Sequence, residues 1–126
     1  MARLLLIDVI DDKVKEVNIG ESDLDVFHEY LHCRCFDVTE RKIGGKYFDI
    51  FCDDEGLLQD PQPPISAYSI KDNEPMLVGN LIIANHDMEG NTTDLSDEDI
   101  KLIKENLIFA TSPAKPKGYK LLACEY

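Results

Sequence analysis

Two stretches of this chain, Leu4-Leu5-Leu6-Ile7-Asp8-Val9-Ile10 and Met76-Leu77-Val78-Gly79-Asn80-Leu81-Ile82-Ile83-Ala84, are nearly continuous apolar sequence. Such runs, unlike alternating ones, are expected of strands buried on both faces. A fold that buries them needs other structure on either side of the sheet. Gly79 interrupts the second run and marks a bulge or a close backbone approach.

The rest of the chain supplies the partners. Asp11-Asp12 provides turn residues before Val14, Val17 and Ile19, which predicts a hairpin with the first strand. Ser22 and Asp25 resemble a capping box, and Leu24, Phe27 and Leu31 follow at helical spacing, so a first helix is predicted over residues 23–32. Phe36 and Val38, then Phe48, Ile50 and Cys52, alternate with other residues on either side of Gly44-Gly45, predicting a second hairpin. Pro61, Pro63 and Pro64 cannot donate ladder hydrogen bonds and predict a loop or sheet edge, with extended structure resuming over residues 65–70. A second helix is predicted at Ser96, with Asp99 at the capping-box position and Ile100, Ile103, Leu107 and Ile108 as its apolar stripe. Residues 112–126 read as a linker and C-terminal extension, packed as a short strand over residues 119–124. The expected architecture is a single α+β domain over residues 1–111, with one mixed, mostly antiparallel sheet of five or six strands and two helices.

At 126 residues and 44% apolar composition, one hydrophobic core suffices without disulfides. The opening apolar run is too short for a signal-peptide core or a membrane span, which predicts a cytoplasmic protein. In that compartment Cys33, Cys35, Cys52 and Cys124 are reduced thiols. Twenty-five acidic residues against thirteen basic ones give a net charge of −12, which disfavours direct binding to nucleic acid or anionic lipid.

The string His28-Glu29-Tyr30-Leu31-His32 matches the H-E-x-x-H signature of zinc metallopeptidases. There, two histidines one helical turn apart bind zinc and the intervening glutamate polarises the metal-bound water. His86 is the remaining histidine and the available third ligand, with Cys33 or Cys35 as substitutes. Residue frequencies alone produce such a match in roughly one chain of this length in a few hundred. The predicted helix is also short, so no cofactor is expected; zinc at His28 and His32, with Glu29 as catalytic base, is the alternative. Asn85-His86-Asp87-Met88-Glu89-Gly90-Asn91 places oxygen donors before a glycine as an EF-hand loop does, but its twelfth position would be Ser96, so a polar turn is expected.

The acidic clusters lie at turns and helix N-termini, where carboxylates are favourable. Their functional reading is an acidic surface for a basic partner, including mimicry of DNA phosphates by an anti-restriction or anti-defence protein.

The order of an apolar opening strand, a short helix, the turn Asp53-Asp54-Glu55-Gly56, the strand Val78-Gly79-Asn80-Leu81-Ile82 and a capped helix at Ser96 resembles a family of small bacterial proteins catalogued as domain of unknown function 3846. Members are commonly encoded on phages, plasmids and conjugative elements. The resemblance covers roughly residues 4–107. The chain departs from the family pattern in its paired histidines and in Pro61-Gln62-Pro63-Pro64, where the family has Pro-x-Asn. What the resemblance implies is a cytoplasmic accessory protein of a mobile element, and it carries over no catalytic residue.

The resulting expectation is a non-enzymatic protein-interaction module with an unidentified protein partner. Its binding surface is expected at Asp53, Asp54, Glu55 and Gly56, at Val78, Gly79 and Asn80, and at Asn85 and Asp87. Exposed sheet edges also permit a homodimer.

Overall fold

A computed structural model describes residues 2–20, 24–33, 35–55, 64–112 and 115–125. The opening apolar run forms β1 (Ala2–Asp8), which pairs antiparallel with β2 (Lys13–Ile19) across the Asp11-Asp12 turn. Helix α1 (Leu24–Leu31) follows, then the hairpin of β3 (Phe36–Ile43) and β4 (Lys46–Asp53) around Gly44-Gly45. The remaining elements are β5 (Ile65–Ser69), β6 (Glu74–Val78), β7 (Leu81–His86), β8 (Thr92–Thr93), α2 (Asp97–Glu105), β9 (Leu107–Ser112) and β10 (Lys115–Cys124).

These strands form two sheets, not the single sheet expected. The first is ordered β2-β1-β7-β4-β3, with β8 beside β7; the second is ordered β6-β5-β10-β9. Among the described residues every pairing is antiparallel except that of β5 with β10. The fold among the described residues is thus mainly β, with two short helices.

The double burial predicted for β1 follows from its place between two layers. Leu4 and Leu6 face α1 and pack with Val17, Phe27, Leu31 and Ile82. Leu5 and Ile7 face the second sheet and α2, packing with Phe48, Ile50, Ile83, Ile103 and Leu121. All four β1 residues are essentially inaccessible to solvent. Each fully buried Leu or Ile of this kind contributes on the order of 2 kcal/mol of transfer free energy, so the first sheet is the thermodynamic centre of the fold.

The second apolar run departs from expectation instructively. It is two strands in different sheets, β6 and β7, and Gly79 is the point where the chain crosses between them. Gly79 has φ +77° and donates its N–H to the Pro64 carbonyl at 2.9 Å. A left-handed backbone here turns the chain out of one sheet and into the other, which a side-chain-bearing residue does only with strain.

Helix α2 forms as its local code dictates. The Ser96 hydroxyl accepts the Asp99 N–H at 3.1 Å and the Asp99 carboxylate accepts the Ser96 N–H at 3.0 Å, closing the capping box. It ends one turn earlier than its apolar stripe suggests: Asn106 is the C-cap, and Leu107 and Ile108 belong to β9. Residues 115–118, read as linker, are the start of β10, which lies between β5 and β9 in the second sheet. Long-range pairing with β10 outweighs the local preference to continue the helix. No helix among the described residues is long and apolar enough to cross a membrane.

Candidate functional site: a cleft beside the first helix

Residues directly opposite each other in a sheet share a face, so the registers sort every side chain of the first sheet. The pairs Leu4↔Val17, Ala2↔Ile19, Phe51↔Ile82, Asp49↔Ala84, Val38↔Phe51, Glu40↔Asp49 and Phe36↔Asp53 all lie on the α1 side. Eight helical residues are roughly 12 Å long, whereas the eight residues of β4 span about 27 Å. Helix α1 therefore covers only part of this face.

Beside α1 this face contains a half-open cleft of about 270 Å³. Ala2, Leu4 and Ile19 line it from β1 and β2, and Phe27, Phe36 and Phe51 from α1, β3 and β4; Gly90, Asn91 and Thr92 border it from the loop after β7 and from β8. The three phenylalanines form one aromatic cluster. Phe27 lies 4.7 Å from Phe51 and 5.4 Å from Phe36 between ring centroids, and Phe36 lies 6.0 Å from Phe51. Such offset and edge contacts hold the rings in fixed orientations.

The polar border is equally fixed. Asp87 accepts the backbone N–H groups of Glu89 and Asn91, each at 2.9 Å, and donates its own N–H to the Asn91 carbonyl at 3.0 Å. The Asn91 N–H, the largest influence, holds the Asp87 carboxyl below its ordinary range, with further help from the Asn91 side chain and the N–H of Glu89. The segment that resembles an EF-hand opening is thus a self-bonded turn, its aspartate oxygen occupied by its own loop.

On the same face, two residues beyond the Phe51↔Ile82 pair, stand Asp49 on β4 and Glu40 on β3, with His86 at the end of β7. His86 Nδ1 is 3.0 Å from Asp49 Oδ2, and His86 Nε2 is 4.0 Å from Glu40 Oε2. Among the described residues these three side chains bring their ligand atoms within 4.8 Å of one another.

The surface expected from sequence is divided by the fold. Asp53, Asp54 and Glu55 close β4, with Asp53 accepting the Glu55 N–H at 2.9 Å and the Asp54 N–H reaching the Cys35 carbonyl at 3.2 Å. Gly56 lies outside the described residues. Val78 and Asn80 are interior, at 4% and 1% exposure, and Gly79 is buried beside them. Asn85 and Asp87 lie at the other end of β7, whose six residues span about 17 Å from first to last. Asn85 also points into the fold's own bonding: its amide donates to the Asp94 carbonyl at 3.1 Å and to Asp99 Oδ2 at 2.8 Å.

Among the described residues, His28 and His32 are in no group of three close metal-donor side chains. His28 lies within α1, its Nδ1 3.2 Å from the Cys33 carbonyl and its ring edge-on to Phe36 at 5.0 Å. His32 has left the helix, with φ +53°, so it departs from the helical stripe that would align it with His28. Glu29 is exposed, and His86, the third ligand considered, stands with Asp49 and Glu40 instead.

Sequence reasoning missed the cleft and the Glu40–Asp49–His86 cluster. Part of the cluster was accessible: a two-residue Gly44-Gly45 turn pairs Ile43 with Lys46 and so places Glu40 opposite Asp49. The arrival of His86 beside them depends on β7 pairing with β4, which no local signal encodes.

Fold and cleft together define a small, mainly β module in which, among the described residues, a short helix covers part of one sheet face and a cleft opens beside it. Residues 2–108 match the family model described as Domain of unknown function (DUF3846), and the chain belongs to that family. The match ends within β9, before β10. No curated protein and no solved structure matches the chain.

Proposed function

We propose that this protein is a non-enzymatic interaction module that captures one large apolar side chain of a partner protein in the cleft beside α1. The observation that carries this reading is the cleft itself, with its aromatic wall of Phe27, Phe36 and Phe51. Its volume of about 270 Å³ falls below the ~300–1,000 Å³ typical of small-molecule sites, so it suits a single anchoring side chain better than a cofactor. Aromatic and aliphatic anchors in such pockets dominate the energetics of protein recognition.

The partner segment is basic. A chain of net charge −12 attracts and orients cationic segments. The exposed Glu89, next to the bordering Gly90, offers a carboxylate to a Lys or Arg flanking the anchor. The phage and conjugative-element setting implied by the family resemblance makes a host or element-encoded protein the natural source of that segment.

The test is selection from a random peptide library on the wild-type chain and on two cleft-filling variants, Ala2→Phe and Asn91→Trp, each checked for native circular dichroism. The wild type should enrich peptides with an aromatic or large aliphatic residue flanked by Lys or Arg, and both variants should lose them. Failure to enrich such peptides, or equal enrichment by folded variants, would contradict the reading.

A further inference from the structure

We propose that Glu40, Asp49 and His86 form a binding site for a first-row divalent metal ion of the zinc type. The claim stands apart from the apolar cleft, which it adjoins on the same sheet face, and from the H-E-x-x-H string, whose histidines it does not use.

Three adjacent strands each supply one donor, so the cluster is built on the sheet and not on loops. Glu40 sits directly opposite Asp49, Asp49 opposite Ala84, and His86 follows Ala84 by two residues on the same face. The donor atoms lie within 4.8 Å of one another, and metal–ligand bonds of about 2.0–2.2 Å require donors roughly 3–3.5 Å apart. The gap closes by rotation of Glu40, whose side chain is half-exposed and adjustable, against Asp49, whose side chain is 18% exposed and anchored on the inner strand.

Charge supports the same conclusion. Lys46, which lines the same space, is committed to Asp99 at 2.5 Å, and the imidazole is the described ion-pair partner of the two facing carboxylates. Two facing carboxylates present a concentrated negative charge that a bound cation would balance. One imidazole and two carboxylates form a mixed nitrogen and oxygen donor set suited to a first-row divalent ion, whereas an all-oxygen set would favour magnesium or calcium. The space beside His86, lined also by Tyr47, Asn85 and Thr93, is open, so remaining coordination positions are accessible to water or to an outside oxygen donor.

The experiment is calorimetric titration of the purified, chelator-stripped full chain with zinc chloride, with magnesium chloride as the control. Nuclear magnetic resonance of the histidine ring carbons follows the same titration. The expected result is one zinc per chain, little magnesium binding, and a zinc-dependent shift of the His86 ring signals. Glu40→Gln, Asp49→Asn and His86→Gln should each weaken zinc binding by more than about tenfold. The half-exposed Glu40 position keeps the test valid if the Asp49 variant folds poorly. His28→Gln and Cys35→Ser should leave affinity unchanged. No zinc binding up to millimolar concentration would overturn the proposal, as would binding that survives His86→Gln or is lost in the His28 or Cys35 variant.

Discussion

Asn80 accepts the backbone N–H of Val9 through its side-chain oxygen at 3.0 Å while donating its amide to the Tyr30 carbonyl at 2.9 Å. One buried side chain thus fastens the end of β1 to the last turn of α1, immediately after the chain has crossed between sheets at Gly79. The Val78-Gly79-Asn80 motif thereby has a structural account. Asn80→Ala leaves a buried donor and an inner carbonyl without this partner, and should cost roughly 2–4 kcal/mol. Urea unfolding monitored by circular dichroism measures it; a loss below about 0.5 kcal/mol would show that the latch is not needed.

The capping box of α2 supplies a pH-dependent prediction. Burial pushes the Asp99 carboxyl up, but bonds from Lys46, Ser96 and Asn85 outweigh that effect and bring it from 3.8 to about 2. A carboxyl depressed in the folded state contributes stability that is fully present above about pH 4 and is lost as pH falls towards 2. The contribution is on the order of 1–2 kcal/mol, reduced from the full linkage value because solvent screens the half-exposed Lys46. Asp99→Asn should lower stability at pH 6 and flatten the profile between pH 4 and 2; equal slopes in both proteins would remove Asp99 from the account.

Gly118 is another glycine whose conformation the fold requires. Its φ is +96°, and a Cβ there would lie 2.0 Å from the Phe109 ring, which rests across it from β9. Gly118→Ala should destabilise the second sheet by roughly 1–3 kcal/mol, combining backbone strain with displacement of the ring. A thermal melt tests this, and an unchanged midpoint would mean that Phe109 moves freely away.

The four thiols differ in accessibility, and alkylation should report it. All four are free; Cys35 is exposed, whereas burial raises Cys33, Cys52 and Cys124 each to about 11. At pH 7.5 iodoacetamide should modify Cys35 first, and Cys52 and Cys124 should react only as the protein unfolds. Intact-mass and peptide mass spectrometry follow the order, and early modification of Cys124 would contradict the packing of β10 inside the second sheet.

Features encoded locally were the ones legible in the sequence. The Ser96–Asp99 cap, the Asp11-Asp12 and Gly44-Gly45 turns, and the doubly buried β1 each depend on residues a few positions apart. The second sheet was not legible, because β10 pairs in parallel with β5 more than fifty residues earlier, while Leu107 and Ile108 continue a helical stripe until β10 claims them. The functional residues divide in the same way. Glu40 opposite Asp49 follows from a turn, but the aromatic cleft joins residues from β1, β2, α1, β3, β4 and the turn after β7, which only the tertiary fold brings together.

The most direct test of the open sheet face as the binding surface is a methyl carbon–proton spectrum of the full chain, titrated with the peptide selected on it. The account predicts progressive shifts of the Leu4, Ile19 and Thr92 methyl signals, with Ile103 and Leu121 on the other side of the sheet unmoved, and no shifts in Ala2→Phe. Shifts confined to Ile103, Leu121 and the other side of the sheet, or the same shifts in Ala2→Phe, would contradict it.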